Sequence, residues 1–380
     1  MSENNVLIEV HNLEVRFPIK KKKLFRTEIE ELRAVDDVSF EIRRGETVGL
    51  VGESGSGKTT VGRAILRAID PTDGEVIFHG KKRDVDIGEL EGEDLRKFRK
   101  KMGMVFSEGS HSLSSMAADM LRAFRPRMSL VFQDPYSSLN PRMTVRDIIA
   151  EPLVAGGLMT DKEKIDKRVR EIAERCKLNL EHLRRFPHAF SGGQRQRICI
   201  ARALVTKPDF VVCDESVSAL DVSIQAEIVN LLKDIQEEMG VAFLFIAHDL
   251  SVVAQMSHRV AVMYVGKFVE YAPTEELFFK PRHPYTQALL SAIPQADPDA
   301  VFDPVKLEGE IPNPVAAPPG CRFHTRCPYA TELCSQEVPE WREIEPEHFV
   351  ACHRAEELDF SRGQAGAPEA TATTPELVDA

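Results

Sequence analysis

The stretch Gly52–Thr59, GESGSGKT, constrains the fold more than any other part of the chain. It follows the apolar run Glu46–Gly52 and precedes the helical pattern Lys58–Ile69, so the order is strand, glycine-rich turn, helix. Glycines let backbone N–H groups curl around phosphate oxygens, and the lysine reaches the β and γ phosphates. The pattern therefore predicts a phosphate-binding loop. Its nucleotide-binding residues are Gly52, Glu53, Ser54, Gly55, Ser56, Gly57, Lys58, Thr59 and Thr60.

Two acidic residues at the end of a second apolar run supply the other half of a nucleotide site. The run Phe210–Glu215, FVVCDE, is typical of a parallel strand buried on both faces. Thr59 offers a hydroxyl to Mg²⁺ with support from Thr60, and Asp214 would hold the ion through water. Glu215 would polarise the attacking water. In the absence of a phosphate loop, the same acids would indicate a strand that ends in solvent.

The stretch Phe190–Leu204, FSGGQRQRICIARAL, opens a helix with Ser-Gly-Gly-Gln just upstream of the acidic strand. A hydroxyl and bare backbone N–H groups at the positive end of a helix form a second phosphate-binding surface. At this point the chain resembles the ATP-binding cassette (ABC) ATPases, whose signature motif has this sequence in this order. The resemblance covers about residues 6–275 and implies that Ser191, Gly192, Gly193 and Gln194 bind nucleotide.

The resemblance implies further roles, position by position. Phe17 matches the aromatic residue that stacks on adenine, although a plain core residue is the alternative. Gln133 matches the glutamine that meets Mg²⁺ and the attacking water, and His248 matches the histidine at the γ-phosphate. Asp221 ends the SALD sequence of the loop that crosses a dimer interface. The implied catalytic residues are Glu215, His248 and Gln133, and the implied Mg²⁺ ligands are Thr59, Gln133 and Asp214.

The same resemblance implies how the chain works with a second ATPase. Two such domains meet head to tail, and each ATP lies between the Lys58 loop of one chain and Ser191–Gln194 of the other. ATP binding closes the pair and hydrolysis releases it. Ser216 departs from the family pattern, because many relatives have proline after the acidic pair. We do not expect this departure to remove activity.

The fold class that the resemblance implies is α/β. It is a P-loop ABC-type nucleotide-binding domain with an antiparallel β subdomain, a helical subdomain and a small Cys-containing C-terminal extension. Alternation predicts strands over Val6–Phe17 and Ala34–Ile42, joined by a solvated hairpin loop at Ile19–Glu31 that could also contact lipid headgroups. The predicted boundaries are 1–280 for the ATPase domain, about 134–205 for its helical subdomain, 281–355 for the extension and 356–380 for a disordered tail.

One stretch of the chain is nearly repeated. Arg99–Leu113, RKKMGMVFSEGSHSL, matches Arg125–Leu139, RPRMSLVFQDPYSSL, in one register. The second copy continues into the glutamine that the cassette needs, whereas the first continues into serines and glycines. We therefore predict the buried strand at Met128–Phe132 and an insertion at about 101–126, with a short surface helix at Ser114–Phe124. The alternative places the strand at Met102–Phe106.

Three further stretches narrow the resemblance to ATPase subunits of oligopeptide and dipeptide importers, and most closely to the one usually named second of the pair. They are Phe132–Val145, Ser216–Leu232 and His283–Pro294. This resemblance implies two transmembrane permease subunits, a sister ATPase or a second copy, and a peptide-binding protein as partners. The alternatives are an importer ATPase for nickel or another small solute, and a soluble ABC ATPase acting on DNA or ribosomes. The expected coiled-coil insertion or second cassette of that last class is not in the sequence.

Four cysteines follow in the extension, at Cys321, Cys327, Cys334 and Cys352. Four thiolates in a short segment can enclose a metal where there is little core to bury. In the importer family the segment resembles a site for an iron–sulfur (4Fe-4S) cluster. Zn²⁺ and unliganded thiols are the alternatives, since the spacing is not that of a zinc ribbon. The other three cysteines fall within helix or strand patterns, and we interpret them as small core residues. They are Cys176, Cys199 and Cys213.

Composition limits the place where the chain acts. With 60 acidic and 49 basic residues the net charge is -11, which argues against a protein built to coat nucleic acid. No run approaches the roughly 18 to 20 apolar residues that span a bilayer, and the polar start MSENN lacks the core of a secretory signal. The expectation is a protein at the cytoplasmic face of the membrane, peripheral and attached through its partners.

Overall fold

A computed structural model of the chain describes residues 5–23, 26–80, 109–113, 116, 125–293 and 304–361. Several of the predictions fall outside these ranges. They are the strand alternative at Met102–Phe106, most of the insertion at 101–126, the surface helix at Ser114–Phe124 apart from Met116, and the tail beyond Ser361.

An antiparallel sheet begins the fold. Its strands lie in the order β2, β1, β4, β5, with β1 at Val6–Lys23, β2 at Arg26–Arg43, β4 at Asp73–Gly80 and β5 at Gly109–Ser112. The prediction of a hairpin loop over Ile19–Glu31 is wrong, because both strands continue through this region and pair as far as Lys23 and Arg26. Ile19 and Ile29 are exposed there, so this part of the ribbon extends beyond the core.

The second sheet positions the candidate site. Strands β3 (Thr47–Val51), β8 (Ala242–Ile246) and β7 (Phe210–Asp214) are buried at every residue, as the apolar runs predict. They pair in parallel, and β9 (Arg259–Tyr264) joins on the other side of β3. Because parallel strands end at the same sheet edge, the loops after β3, β7 and β8 meet there.

The repeated stretch is resolved by this sheet. Strand β6, Met128–Val131, lies in the second copy and pairs in parallel with β7. The prediction of a strand at Met128–Phe132 is confirmed, except that the strand ends one residue earlier, at Val131. Phe132 is exposed. Gly109–Ser112, the end of the first copy, pairs instead with β4 in the antiparallel sheet. The residues of the first copy that match β6 lie outside the described ranges.

Helices cover the parallel sheet and build the helical region. The helical prediction at residues 58–69 is confirmed, with the helix ending at Ile65, and the helix Val222–Met239 ends at Gly240 with φ 65°. The helices of the described part are α1 (Lys58–Ile65), α2 (Val145–Ala155), α3 (Lys162–Arg175), α4 (Gly192–Leu204), α5 (Val222–Met239), α6 (Leu250–Met256), α7 (Thr274–Phe279), α8 (Pro284–Ser291) and α9 (Glu332–Gln336).

The C-terminal part continues the main sheet. Strand β10 (Lys267–Pro273) pairs with β9 and with β12 (His348–Val350), and β11 (Arg342–Glu345) forms the edge beyond it. The segment predicted as an extension is thus joined to the ATPase sheet by backbone hydrogen bonds. Within the described ranges, no helix combines the length and the apolar character needed to cross a membrane.

Candidate active site

The phosphate loop lies between β3 and α1, and its shape requires glycine at two positions. Gly52 has φ 147°, and a Cβ there would lie 2.1 Å from the carbonyl oxygen of Met263. Gly57 has φ 109°, and a Cβ there would lie 2.1 Å from the carbonyl oxygen of Ala34. Side chains cannot occupy either place, so the backbone can turn tightly there and bring loop N–H groups close to an anion.

Lys58 is held inside this loop. Its side chain is 4% exposed, and its Nζ donates to the carbonyl oxygens of Gly52 at 2.7 Å and Glu53 at 2.9 Å. Burial lowers the pKa of Lys58, while the carboxylates of Glu215 and Asp214 act in the opposite direction. An ammonium group with few solvent contacts gains strongly from a phosphate oxygen, because that oxygen replaces lost hydration with an opposite charge.

Thr59 and Asp214 form the candidate Mg²⁺ site. The Thr59 hydroxyl donates to Asp214 Oδ1 at 2.8 Å across the gap between α1 and the end of β7. Asp214 is 3% exposed, and Arg63 lies 3.7 Å from its other oxygen. A hydroxyl and a carboxylate are oxygen donors of the kind that Mg²⁺ prefers, so these residues fit the ion. Thr60 is half-buried in the first turn of α1.

Gln133 and Glu215 meet because β6 and β7 end side by side. Gln133 Nε2 donates to Glu215 Oε2 at 2.6 Å. The backbone of Glu215 has φ 47°, in the left-handed region that residues other than glycine seldom adopt. Its N–H donates to the Ile246 carbonyl at 2.9 Å, and its own carbonyl accepts from the Ser218 hydroxyl at 2.9 Å. These bonds hold the carboxylate at the sheet edge. Ser216, the departure from the family pattern, is buried directly beside it.

The signature turn begins α4 with a reciprocal cap. Ser191 Oγ accepts from the Gln194 backbone N–H, and the Gln194 side chain accepts from the Ser191 N–H. A Cβ on Gly193 would lie 2.5 Å from Cγ2 of Ile224, so α4 and α5 approach closely at this point. The turn therefore offers a fixed helix N-terminus at the surface. Within the described residues no hydrogen bond joins it to the phosphate loop.

The remaining predicted residues lie at separate places. Asp221 stands before α5 and is exposed, and His248 is exposed two residues after β8. Phe17 lies on β1 and packs against the core of the antiparallel sheet. The structure thus brings together the phosphate loop, Asp214, Glu215 and Gln133. The signature turn, Asp221 and Phe17 lie outside this group of bonded residues.

Sequence reasoning missed two residues that touch the phosphate loop. Tyr285 Oη accepts the backbone N–H of Glu53 at 2.9 Å, and Arg326 donates to the Glu53 carboxylate at 2.8 and 3.2 Å. The separations along the chain are 232 and 273 residues. No local spacing signals contacts of this length.

The four cysteines of the extension line one cavity, together with His283 and Phe323. The Cys321 N–H donates to the Cys334 carbonyl at 2.8 Å. Burial, with smaller contributions from the neighbouring cysteines, raises the pKa of Cys321 to about 12 and that of Cys352 to about 11. In the described part of the chain, no group of three or more His, Cys, Asp or Glu side chains is arranged to hold a metal ion. The prediction that Cys176, Cys199 and Cys213 are core residues is confirmed, since all are buried.

Comparison with family models gives two matches. The model described as "ABC transporter" matches residues 35–120 and 109–218. The two matched segments overlap at residues 109–120. The model described as "Oligopeptide/dipeptide transporter, C-terminal region" matches residues 269–334.

Comparison with individual proteins agrees with these matches. The Bacillus subtilis oligopeptide transport ATP-binding protein AppF is 44% identical over 355 residues, covering 93% of this chain and 98% of its own length. A Brucella ovis protein named as a peptide import ATP-binding protein is 47% identical over 332 residues, which cover 87% of this chain and 95% of that protein. A solved dimeric ATP-binding cassette, in a post-hydrolysis state with ADP and Pi, has a TM-score of 0.54 and 25% identity, covering 70% of this chain and 99% of that one. With the phosphate loop, the acidic pair and the signature turn in place, the chain therefore belongs to the ABC transporter ATPases, in the oligopeptide/dipeptide transporter family.

Proposed function

We propose that the chain binds and hydrolyses ATP to power the import of oligopeptides or dipeptides across a membrane. The observation that carries the ATPase part is the bonded group at the sheet edge, where Lys58, the Thr59–Asp214 pair and the Gln133–Glu215 pair surround one position. The peptide part rests on the C-terminal region, which is similar to that of oligopeptide/dipeptide transporters.

The residues divide the chemistry among them. The loop N–H groups and Lys58 bind the β and γ phosphates, because fixed dipoles and a buried charge offset their negative charge. Thr59, Asp214 and Gln133 would hold Mg²⁺, which neutralises charge on the phosphates. Glu215 polarises the water that attacks the γ-phosphate, and Gln133, bonded to it at 2.6 Å, orients that water.

A second chain completes each site in this proposal. The Ser191–Gln194 turn is a capped helix N-terminus on the surface, suited to bind the γ-phosphate of an ATP held by another chain. Asp221 follows Leu220, whose Cδ2 would lie 3.6 Å from a Cβ on Gly192, and His248 stands two residues after β8. Phe17 would stack on adenine from β1. The partner ATPase is a sister subunit or a second copy of this chain.

The wider assembly is proposed from the family. It contains two permease subunits and a peptide-binding protein, with this chain peripheral on the cytoplasmic face. Peptide-loaded binding protein should stimulate ATP hydrolysis in vesicles that carry the assembled transporter. Stimulation by a nickel complex or another small solute, with none by peptides, would contradict the peptide assignment. Mass spectrometry of co-purified subunits would identify the sister ATPase.

We also propose that Cys321, Cys327, Cys334 and Cys352 hold an iron–sulfur cluster. The four thiols line one cavity, and thiolates are the ligands that iron–sulfur clusters use. The support is the chemistry of the four thiols and their shared cavity, because the described side chains are not already arranged to hold a metal ion. The raised pKa values of Cys321 and Cys352 mean that bare thiols would stay protonated, so a metal must displace protons on binding. Iron, zinc and acid-labile sulfide should be measured per chain after anaerobic purification. Zinc without sulfide, or neither metal, would refute the cluster.

A further inference from the structure

Glu53, the second residue of the phosphate loop, is bonded through its N–H, its carbonyl and its carboxylate. Its N–H donates to Tyr285 Oη at 2.9 Å, and its carbonyl accepts from Lys58 Nζ at 2.9 Å. Its carboxylate accepts two bonds from Arg326, at 2.8 and 3.2 Å. Two of these partners belong to the C-terminal part of the chain, so the loop that should bind phosphate is fixed from outside the cassette core.

The segment that carries Arg326 is itself anchored on the ATPase sheet. Arg322 donates to the Val265 carbonyl and to the Asp36 carboxylate. Phe323 is 1% exposed, and its ring centroid lies 5.2 Å from that of Tyr264 and 5.3 Å from that of Tyr285. Close aromatic packing and buried charge pairs hold a short segment firmly. Arg326 is therefore presented to Glu53 from a rigid support.

The charge of Glu53 needs this partner. A carboxylate inside a phosphate loop repels the anion that the loop must bind, and the repulsion is strong where solvent access is limited. The Arg326 side chain is 8% exposed, and it contacts both Glu53 and Tyr264. Burial lowers the pKa of Arg326, but the bonds to Glu53 and Tyr264 raise it overall, so the guanidinium stays charged and offsets the carboxylate.

We propose that Arg326 and Tyr285 are positioning residues for ATP binding. Tyr285 fixes the N–H of Glu53, and Arg326 both orients the Glu53 carboxylate and neutralises its charge. The C-terminal segment thereby sets the affinity of the phosphate loop for ATP. This inference rests on the proposed ATP-binding function and adds two residues that act through Glu53 without touching the nucleotide.

The test uses the full-length chain and its Kd for MgATP, measured by calorimetry at low and high salt. Arg326→Met should raise the Kd about tenfold, the effect expected when one charged hydrogen bond is lost. Arg326→Lys should recover part of the loss. Adding Glu53→Gln to Arg326→Met should also recover affinity, because the unpaired carboxylate is then removed. A role confined to stability would not produce this rescue.

Two further variants separate loss of the contacts to Glu53 from misfolding and from the loss of any arginine–glutamate pair. Tyr285→Phe keeps the ring packing and should raise the Kd severalfold by leaving the Glu53 N–H without its acceptor. Arg342→Met is the matched control, because Arg342 also donates to a carboxylate, that of the exposed Glu356, at 2.6 and 2.7 Å. The Kd of this variant for MgATP should equal that of wild type. Thermal unfolding of each variant shows whether it is folded.

In the assembled transporter, Arg326→Met should raise KM for ATP more than it lowers kcat. Equal Kd values for wild type, folded Arg326→Met and Tyr285→Phe would overturn the inference. A Kd for Arg326→Met that Glu53→Gln does not improve would overturn the neutralising role. A wild type that binds no MgATP would instead refute the ATPase assignment on which the inference rests.

Discussion

Glu215→Gln separates ATP binding from ATP hydrolysis at the proposed site. The amide has the shape of the carboxylate, and the backbone bonds of residue 215 to Ile246 and Ser218 do not involve the side chain. The amide oxygen can still accept the bond from Gln133, which is 2.6 Å long in the wild type. What the variant loses is the negative charge that polarises the attacking water.

The size of the effect follows from that loss. General-base catalysis contributes about 10² to 10⁴ in rate, which is about 3 to 5 kcal/mol of activation free energy. We expect kcat to fall by at least about a hundredfold. The affinity for MgATP should change far less. The Glu215 carboxylate stabilises the positive charge of Lys58, which favours ATP binding, but it would also repel the γ-phosphate, which opposes binding. These contributions oppose one another, so the Kd for MgATP should stay within about threefold of wild type.

The assay measures steady-state hydrolysis in the assembled transporter and MgATP binding to the full-length chain. Glu227→Gln provides the control, since Glu227 forms an exposed pair with Arg197 at 2.8 Å and should leave both quantities unchanged. A kcat reduced less than tenfold in Glu215→Gln would refute the role of Glu215 as the base. A Kd raised more than tenfold would show that the residue acts in binding.

Three other expectations concern packing and burial. Gly193→Ala places a Cβ 2.5 Å from Ile224, so it should displace the signature turn and lower kcat about tenfold or more with less effect on MgATP affinity of the isolated chain. Arg259→Met leaves the buried Glu46 carboxylate unpaired and should reduce the free energy of unfolding by about 3 to 5 kcal/mol in urea titration. Burial raises the pKa of Cys213 to about 12, so its thiolate fraction at pH 8 is about 10⁻⁴ and alkylation should accelerate at least about a thousandfold on unfolding.

Much of the site could be predicted from the sequence because its parts are local. The phosphate loop needs glycines, lysine and threonine at fixed spacing between a strand and a helix, and Gly52 and Gly57 stand where a Cβ would meet a carbonyl oxygen. The acidic pair lies at the end of an apolar run of strand length, and the capping pair of Ser191 and Gln194 lies within one turn. Neighbours in sequence determine each of these features.

Other features depended on which strands pair. Gln133 meets Glu215 because β6 and β7 lie side by side, and only the second copy of the repeated stretch forms β6. Of the first copy, the described residues Gly109–Ser112 pair with β4 in the other sheet. The hairpin loop predicted at Ile19–Glu31 is also wrong, because its charged residues suggested a loop whereas cross-strand pairing extends β1 and β2 through it.

The sequence by itself determined that the chain contains a phosphate loop, an acidic strand end and a signature turn, because each is built from residues that are neighbours along the chain. Only the tertiary structure decided which groups meet around one position, and that Tyr285 and Arg326 hold Glu53 across 232 and 273 residues. Such contacts arise when separate elements share a sheet and its buried edge, and no spacing along the chain encodes them.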